Sequence, residues 1–330
     1  NPVRYRVRHL CALFGVSKQA YYKYDESKSM MRAARDAFVI EYVRKVRRID
    51  PGIGALKLWH MYRRDFSGNS PVGRDRFIEI MSCNGMILRK RLRRPRTTDS
   101  RHGLPTYPNL IKEMLPLRPN QLWVSDITYI IIWTDDIHYR FCYLSIVLDA
   151  YTEEIVGYCV GPTLETAYPI EALCMALGRL KGMDGISLIH HSDRGVQYAS
   201  SEYVRLLNKN GISISMTETG DPKDNAQAER INGTIKNELL KGMRFTDIGQ
   251  VREAVATAVD FYNNERPHMS INMMTPAQAA SCQGEISKRW SSFRTKAIKN
   301  RQECSDIGED GLSLPSVHGV LSGLRPPRTP

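Results

Sequence analysis

The sequence predicts an α/β protein with a five-stranded mixed sheet flanked by helices, preceded by small all-helical units. Three observations support this fold class. Helical periodicity dominates the first hundred residues, and segments rich in Ile, Val, Tyr and Trp begin near residue 121. From there, three consecutive strands are followed by alternating helices and strands. Hydrophobic residues make up 42% and charged residues 25% of the chain, which is typical of a protein that buries a core.

The first predicted unit, residues 1–30, has the pattern of a DNA-binding helix-turn-helix. Gly15 suits the turn, and Ser17 is a good N-cap for a second helix that continues to Tyr24. The second helix of such a motif lies in the major groove of DNA. The side chains that it would direct at DNA are Lys18, Gln19, Tyr21 and Tyr22. A two-helix hairpin without a role in DNA binding is the alternative interpretation.

A second small helical DNA-binding unit is predicted over residues 31–95, with helices at about 32–49, 55–64 and 73–84. It ends in a dense basic run, and a basic linker that contains prolines follows over 96–117. The basic residues proposed to follow a phosphate backbone are Arg89, Lys90, Arg91, Arg93 and Arg94. A run of this kind is also compatible with a merely solvated segment.

The charge of the chain is segregated. Residues 1–117 carry 25 Lys and Arg against 10 Asp and Glu, whereas residues 118–281 carry 14 against 20. A basic front half predicts binding to a polyanion, and an acidic centre predicts carboxylates that need cations. No run of 18 apolar residues exists, so we predict no membrane span. Seven scattered cysteines without a C-x-x-C pair argue against a disulfide framework and favour a cytoplasmic setting.

The predicted core covers residues 118–281, and residues 282–330 are predicted to form a flexible C-terminal tail. The predicted strands are 121–133, 139–148, 155–160, 186–191 and 212–216. The predicted helices are 163–181, 201–209, 224–240 and 247–264.

Three carboxylates in this core are candidates for chemistry. Asp126 interrupts an apolar strand, Asp193 follows the fourth strand, and Glu229 lies on the helix at 224–240. Taken alone, each has an ordinary explanation: a strand-end Asp, a turn Asp before Gly195, and a surface Glu. Together, they have the hard oxygen ligands that suit Mg²⁺ or Mn²⁺, and two such ions assist phosphoryl transfer. The neighbouring His190 and His191 suggest zinc less well, because no Cys or third His stands at ligand spacing.

The sequence resembles the transposases of bacterial insertion sequences, whose core is retroviral-integrase-like. The matching motifs are Trp123-x-x-Asp126-Ile-Thr, His191-Ser-Asp193-x-Gly195-x-Gln197-Tyr198, Asn225-Ala-x-x-Glu229-Arg-x-Asn232-x-x-x-Lys236-x-Glu238, Tyr262-Asn263-x-x-Arg266-Pro267-His268 and Thr275-Pro276. Between Asp193 and Glu229 stand 35 residues, which is the spacing typical of this superfamily. The resemblance covers about residues 118–281 strongly and residues 1–100 more loosely. Ile271-Asn272 departs from it, because the family usually has Leu-Gly there.

The resemblance implies a ribonuclease-H-like core in which Asp126, Asp193 and Glu229 are catalytic and hold two Mg²⁺ or Mn²⁺ ions. It implies hydrolysis at the end of an element, followed by direct attack of the freed 3′-hydroxyl on another DNA strand. Further implied DNA-binding residues are Arg230, Asn232 and Lys236, and for Arg266 and His268 the choice between positioning DNA and bracing the core stays open. The implied partners are double-stranded DNA, as element terminal repeats and as target, and at least one further copy of the chain, acting at the bacterial nucleoid.

Two other functions remain open at this point. One is a nuclease of the same fold that only hydrolyses DNA, and the other is a DNA-binding regulator whose core has lost activity. The basic N-terminal half disfavours the first, and the complete set of carboxylates disfavours the second. The sequence also leaves open whether a further DNA-binding segment normally precedes residue 1.

Overall fold

The structure, a computed structural model, describes residues 5–23, 26–68, 72–88, 103–183, 185, 187–218, 225–287, 296 and 298–299. Its N-terminal helices are α1 Val7–Leu13, α2 Lys18–Lys23, α3 Glu26–Ile49, α4 Ala55–Asp65 and α5 Arg74–Cys83. Gly15 has a φ of 65° between α1 and α2, and the Ser17 side chain accepts a 3.0 Å hydrogen bond from the Ala20 N–H. The predicted turn and N-cap are therefore confirmed.

The helix α3 crosses the predicted unit boundary at residue 30, because it begins at Glu26. Its buried face consists of Val39, Tyr42, Val43 and Val46, at helical spacing. These side chains belong to the same buried cluster as apolar residues of α4, α5 and the sheet. The helices α3 to α5 thus pack directly against the core of the α/β part.

The sheet has five strands: β1 Leu122–Trp133, β2 Tyr139–Asp149, β3 Ile155–Gly161, β4 Ile189–Ser192 and β5 Ser213–Met216. Their order across the sheet is β3-β2-β1-β4-β5, with β1, β2 and β3 antiparallel and β1, β4 and β5 parallel. The predicted five-stranded mixed sheet is confirmed.

Helices cover both faces of this sheet. They are α6 Ala167–Gly178, α7 Val196–Ala199, α8 Ser201–Lys209, α9 Ala226–Thr234, α10 Ile248–Asn264 and α11 Pro276–Ala279. One face packs against α9 and α10, and the other packs against α6 and α8. No helix among the described residues is long and apolar enough to cross a membrane.

The prediction of one α-helix over residues 224–240 is wrong beyond residue 234. The chain continues α9 as a π-helical segment, Ile235–Leu239, whose hydrogen bonds span one more residue. Gly233 lies directly before the change and is a poor helix former. The Glu238 carbonyl, inside this segment, accepts a 2.9 Å hydrogen bond from the Gly52 N–H between α3 and α4.

Candidate active site

The candidate site forms where the parallel pairing of β1 and β4 ends. In the part of the chain that the structure describes, β4 pairs only with Leu122–Val124 of β1, and beyond Val124 this edge has no strand partner but only an isolated bridge between Ile132 and Phe245. Asp126 lies two residues past the pairing, and Asp193 directly follows β4. Ligands of α/β folds usually bind at such carboxyl ends of parallel strands.

Asp126 is held by two hydrogen bonds. Its Oδ2 accepts one from Asn232 Nδ2 on α9 at 2.8 Å, and its Oδ1 accepts one from the Ile127 N–H at 2.9 Å. Asn225, the residue before α9, donates from Nδ2 to the Ser125 carbonyl at 3.0 Å. Two amide side chains therefore tie α9 to the part of β1 that carries Asp126.

The three predicted carboxylates act on one another electrostatically. The pKa of Asp126 is raised to about 7, mainly by burial and also by the negative charges of Asp193 and Glu229, while the hydrogen bonds from Asn232 and the Ile127 N–H lower it. Asp126 therefore experiences the charges of both other acids that the sequence singled out.

Asp193 and Glu229 differ in their surroundings. The Asp193 Oδ1 accepts a 2.9 Å hydrogen bond from the Gly195 N–H, and a Cβ at residue 195 would lie only 2.9 Å from the same oxygen. A glycine at this position therefore lets the turn close around Asp193. Glu229 lies in the first turn of α9 and is exposed, so its carboxylate is accessible from solvent.

The donors fit a magnesium ion that binds through one or two carboxylates and otherwise through water or substrate oxygens. Among the described residues, no three His, Cys, Asp or Glu side chains stand close enough to hold one ion together. Mg²⁺ seldom needs such a closed cage, because it usually keeps several waters and takes substrate phosphates as ligands. Asn232 Oδ1 is buried without a hydrogen-bond partner in the described part of the chain, which leaves an acceptor beside Asp126 for an additional group.

Tyr198 adds a second buried polar group to the site. Its hydroxyl is buried and has no hydrogen-bond partner among the residues that the structure describes. Burial raises the pKa of Tyr198 well above its usual value, and the charges of Tyr203, Asp126 and Asp193 contribute. This hydroxyl is thus close enough to both aspartates to feel their charges. Its place in the His191–Tyr198 motif was visible in the sequence, but its position beside Asp126 was not.

The two adjacent histidines are core residues with hydroxyl partners. His190 Nε2 lies 2.8 Å from Ser125 Oγ and 3.0 Å from the Tyr203 hydroxyl, and His191 Nδ1 lies 2.8 Å from Ser215 Oγ. Burial lowers the pKa of His190 to about 3, so its imidazole is neutral at physiological pH. These contacts give both histidines a role in joining neighbouring elements of the α/β core.

Lys236 lies on the open side of β1. Its Nζ is 3.3 Å from Thr128 Oγ1 and 3.8 Å from the centre of the Tyr129 ring. Lys236 stands seven residues after Glu229, which in a regular α-helix would place both on one face, but residue 236 lies in the π-helical segment and the regular spacing does not hold. The ammonium group nevertheless stands two to three residues along β1 from Asp126.

The other residues of α9 with a predicted DNA role have protein partners. Arg230 forms a 2.6 Å ion pair with Glu153, and about half of the Arg230 side chain remains exposed. Asn232 is buried against Asp126, so its contact is with the candidate catalytic carboxylate. Of the two, only Arg230 presents a surface that a phosphate can reach.

Arg266 and His268 are buried in an ionic network that joins the π-helical segment after α9 to α4 and to Asp50, which directly follows α3. Arg266 donates to both carboxylate oxygens of Glu238, at 2.8 and 3.0 Å, and its Nη1 lies 3.1 Å from the His268 ring nitrogens. Lys57 Nζ lies 3.3 Å from Glu238 Oε1, and Asp50 lies 3.8 Å from Arg266. Of the two roles that the sequence left open, this burial favours bracing the core.

The predicted DNA-binding side chains of α2 are exposed. Tyr21 and Tyr22 are 50% and 72% exposed, and Lys18 and Gln19 also face solvent. The basic run Arg89, Lys90, Arg91, Arg93 and Arg94 lies outside the described residues. The surface of α2 is therefore available to a partner.

Two matches to a family described as an integrase core domain cover residues 116–222 and residues 210–276. Relatives match over most of the chain. One is the transposase for insertion sequence element IS629 of Shigella sonnei, at 30% identity over 282 residues, which cover 84% of this chain and 92% of the relative. Another is the uncharacterized 31 kDa protein of insertion element IS600 of Shigella sonnei, at 32% identity over 81% of this chain and 96% of the relative.

A solved structure also matches part of the chain. It is the HTLV-2 integrase catalytic core domain in complex with magnesium, at 20% identity and a TM-score of 0.38. The match covers 50% of this chain and 98% of that domain.

Proposed function

The chain belongs to the family of insertion-sequence transposases with an integrase core, and from this premise we propose that Asp126, Asp193 and Glu229 form its active site. Its activity is DNA transposition by integrase-type phosphoryl transfer. The proposed reaction cuts the ends of an insertion sequence by hydrolysis and joins the freed 3′-hydroxyl to another DNA strand. The observation that supports the assignment is the position of Asp126 and Asp193 at the ends of the paired strands β1 and β4, where the negative charges of Asp193 and Glu229 act on Asp126.

We propose Mg²⁺ or Mn²⁺ as the cofactor, in two ions. Asp126 and Asp193 would supply the first oxygen ligands, and Glu229 would complete the set from α9. When bound, such ions activate the attacking oxygen and stabilise the leaving oxygen in an in-line displacement. Asn232 Oδ1, which has no hydrogen-bond partner among the described residues, and the repulsion of Asp126 by Asp193 and Glu229 support a site that is completed by a cation.

The remaining side chains orient these acids and bind DNA. Asn232 fixes the Asp126 carboxylate through a hydrogen bond to Oδ2, and the Gly195 N–H fixes Asp193. Lys236 stands along β1 where a phosphate next to the reacting one would pass, and Arg230 presents a second cation on α9. The positively charged groups thus flank the acids on the side from which DNA would approach.

The proposed DNA partner is double-stranded, as element ends and as target. The exposed side chains Lys18, Gln19, Tyr21 and Tyr22 of α2 are proposed to recognise the element end in the major groove. The basic run at residues 89–94 is proposed to bind phosphates in addition. Since two element ends have to be handled together, the working form is proposed to contain at least two copies of the chain.

The test is a joining assay with Mg²⁺ and labelled DNA that carries the ends of the insertion sequence encoding this chain. We expect the native protein to produce strands in which a labelled end is covalently joined to a second DNA molecule. Nicking without joining would instead favour a nuclease, and binding without any new strand would favour a regulator. The three outcomes separate the alternatives that the sequence left open.

A metal-binding prediction is independent of the joining assay. Mg²⁺ or Mn²⁺ should raise the temperature of thermal unfolding of the DNA-free protein, because an ion that binds only the folded chain stabilises it. The effect is about 2.7 kcal/mol when the free ion stands about a hundredfold above its dissociation constant. Differential scanning fluorimetry at constant ionic strength measures the shift, with K⁺ as the control for screening.

The matched variant for this measurement is Asp126→Asn/Asp193→Asn, which replaces two carboxylates by amides of the same shape. It should show little or no shift with Mg²⁺. An equal shift in the native protein and in the variant would place the ion elsewhere and contradict the proposed ligands.

A further inference from the structure

The outer half of the β1–β2 hairpin carries a row of aromatic side chains on one face, here called the aromatic ladder: Tyr129, Phe141, Tyr139 and Trp133. Their rings meet edge to face, with centroid distances of 5.0 Å for Tyr129–Phe141, 5.4 Å for Phe141–Tyr139 and 5.6 Å for Tyr139–Trp133. These spacings are those of preferred aromatic contacts. The ladder is thus a continuous, ordered surface.

The ladder faces solvent, whereas the opposite face of the same hairpin is buried. Tyr129, Phe141 and Tyr139 are 44%, 40% and 53% exposed. Ile130 and Ile132, which alternate with Tyr129 and Trp133 along β1, are 6% and 1% exposed. Side chains alternate between the two faces of a strand, so the aromatic residues occupy the face that the sheet does not need for its core.

Two cations lie against the ends of the ladder. Lys236 Nζ is 3.8 Å from the centre of the Tyr129 ring, and Arg244 Cζ is 4.6 Å from the centre of the Trp133 ring. The acids at the hairpin turn are already engaged, since Asp135 bonds His138 and Asp136 pairs with Arg244 at 3.0 Å. The surface therefore combines stacking rings with a positive charge at the Tyr129 end, whereas the charge of Arg244 at the Trp133 end is paired with Asp136.

The ladder begins close to the proposed active site. Tyr129 follows Asp126 by three residues on β1, which is about 10 Å along a strand, and Trp133 lies about 13 Å further on. Lys236 contacts both Thr128 and Tyr129, so the same lysine borders the site and the first ring. Asp126 and Tyr129 point to opposite faces of β1, so a strand of DNA that leaves the site would reach the rings by crossing the edge of β1 beside Lys236.

We propose that the aromatic ladder binds unpaired bases of the DNA strand that leaves the active site. The proposal rests on the proposed function, which supplies the DNA. Bases in a duplex are already stacked on each other, whereas unpaired bases stack on exposed aromatic rings without regard to sequence. The ammonium of Lys236 then neutralises a phosphate next to the first stacked base, and the Arg244 guanidinium stacks against Trp133 at the other end.

A second copy of the chain fits this surface less well. A two-fold symmetric contact would bring the same patch of both copies together, so that Lys236 of each copy would enter one interface. Like charges in such a contact oppose association. A negatively charged strand has the complementary charge.

The test measures binding of a fluorescent oligothymidine to the full-length protein in EDTA, beside a duplex of the same length. In the native protein, the oligothymidine should quench tryptophan fluorescence, because Trp133 lies in the ladder. The double variant Tyr139→Ala/Phe141→Ala should bind oligothymidine at least about tenfold more weakly than the native protein, and its binding to the duplex should be nearly unchanged. Phe141→Leu keeps an apolar side chain but removes the aromatic ring. A loss of oligothymidine binding in this variant would therefore show that stacking on the ring is needed.

The matched control is Ile137→Ala, which removes a 79% exposed apolar side chain at the turn of the same hairpin. Oligothymidine binding that is equal in native protein, ladder variants and this control would overturn the proposal, as would a native protein that does not bind oligothymidine. Conversion of an oligomer to a monomer by the ladder variants, with oligothymidine binding intact, would assign the face to self-association and also overturn it. Joining of duplex ends by the native protein tests the proposed function separately, so the two failures are distinguishable.

Discussion

Replacement of Asp193 by asparagine is expected to reduce DNA joining by at least about 10³-fold, while DNA binding stays close to that of the native protein. The amide keeps the size of the side chain and an oxygen that accepts from the Gly195 N–H. It loses the negative charge that a divalent ion needs, and metal assistance is worth several kcal/mol of transition-state stabilisation. Joined and nicked products are measured on denaturing gels, and binding is measured by the mobility of labelled DNA.

Asp126→Asn should have the same effect, and the double variant should lose little more than either single variant. Residues that act as one unit give strongly non-additive losses, because removing one member already disables the others. The control is Glu253→Gln on the exposed side of α10, where the loss of a carboxylate should leave joining unchanged. Retention of joining by Asp193→Asn at more than a tenth of the native rate would contradict the assignment of this residue.

Much of the fold followed from the sequence because the strands have clear chemical signatures. The strands β1 and β2 are long and rich in apolar, β-branched and aromatic residues, so both can be identified from the sequence, and the turn at residues 134–138 separates them. The alternation of helices and strands after β3 then favoured helices on both faces. Short elements were harder, since the four residues of α7 contain less than two helical turns of periodicity.

The buried face of α3 shows why a helix can be predicted correctly while the wrong residues are assigned to its buried face. The helical spacing of Phe38, Tyr42, Val46 and Ile49 predicts that they share one apolar face, yet Phe38 and Ile49 are 49% and 42% exposed. The face that packs is shifted to Val39 and Val43. In a helix that is apolar over a wide arc, only the position of the partner elements decides which residues become buried.

The loop before α11 departs from the family pattern, and the structure shows why this departure is tolerated. Asn272 occupies the position where the family usually has glycine, and its φ is 56°, in the left-handed region. Asparagine is the residue after glycine that adopts this conformation most readily. The substitution therefore keeps the turn that leads to the Thr275 capping box of α11.

The candidate site was predictable for the three acids and less so for the groups around them. Asp126, Asp193 and Glu229 stand in motifs with a characteristic spacing, so the resemblance identified them together. The contacts of Asn232 and Tyr198 depend on how α9 and α7 pack against β1, and no local pattern contains that information. For the same reason, the sequence did not connect Lys57 to Glu238, which lies 181 residues further along the chain.

The network around Arg266 predicts a large effect on stability. Arg266 is 4% exposed and makes a two-pronged contact with Glu238, with Asp50 and His268 close by. Its removal in Arg266→Met would leave the Glu238 carboxylate buried without its main counter-charge. Breaking a buried ion pair in this way typically costs about 3–5 kcal/mol. Unfolding in urea, followed by circular dichroism, measures the loss.

A second substitution separates the charge effect from a loss of packing. In Arg266→Met/Glu238→Met, both members of the pair become apolar, and such replacements are often nearly neutral. The double variant should therefore recover much of the stability that Arg266→Met loses. A double variant that is less stable than the single variant would show that the pair contributes through geometry that methionine cannot replace.

The same network joins α4 and the turn between α3 and α4 to the π-helical segment that continues the helix of Glu229, so a distortion of this contact should reach the active site. Gly52 allows this contact: a Cβ at residue 52 would lie 2.3 Å from Glu238 Cα, whereas a Cβ at Gly54 would meet nothing within 4 Å. Gly52→Ala should thus force the π-helical segment away from α3 and α4, and Gly54→Ala should not. Asn232 and Glu229 stand on the preceding turns of this helix. Gly52→Ala is therefore expected to lower the joining activity and to increase hydrogen exchange in residues 226–239. Both changes should exceed any change seen for Gly54→Ala. Equal exchange and equal joining in the two variants would mean that the helical part and the catalytic acids are energetically independent.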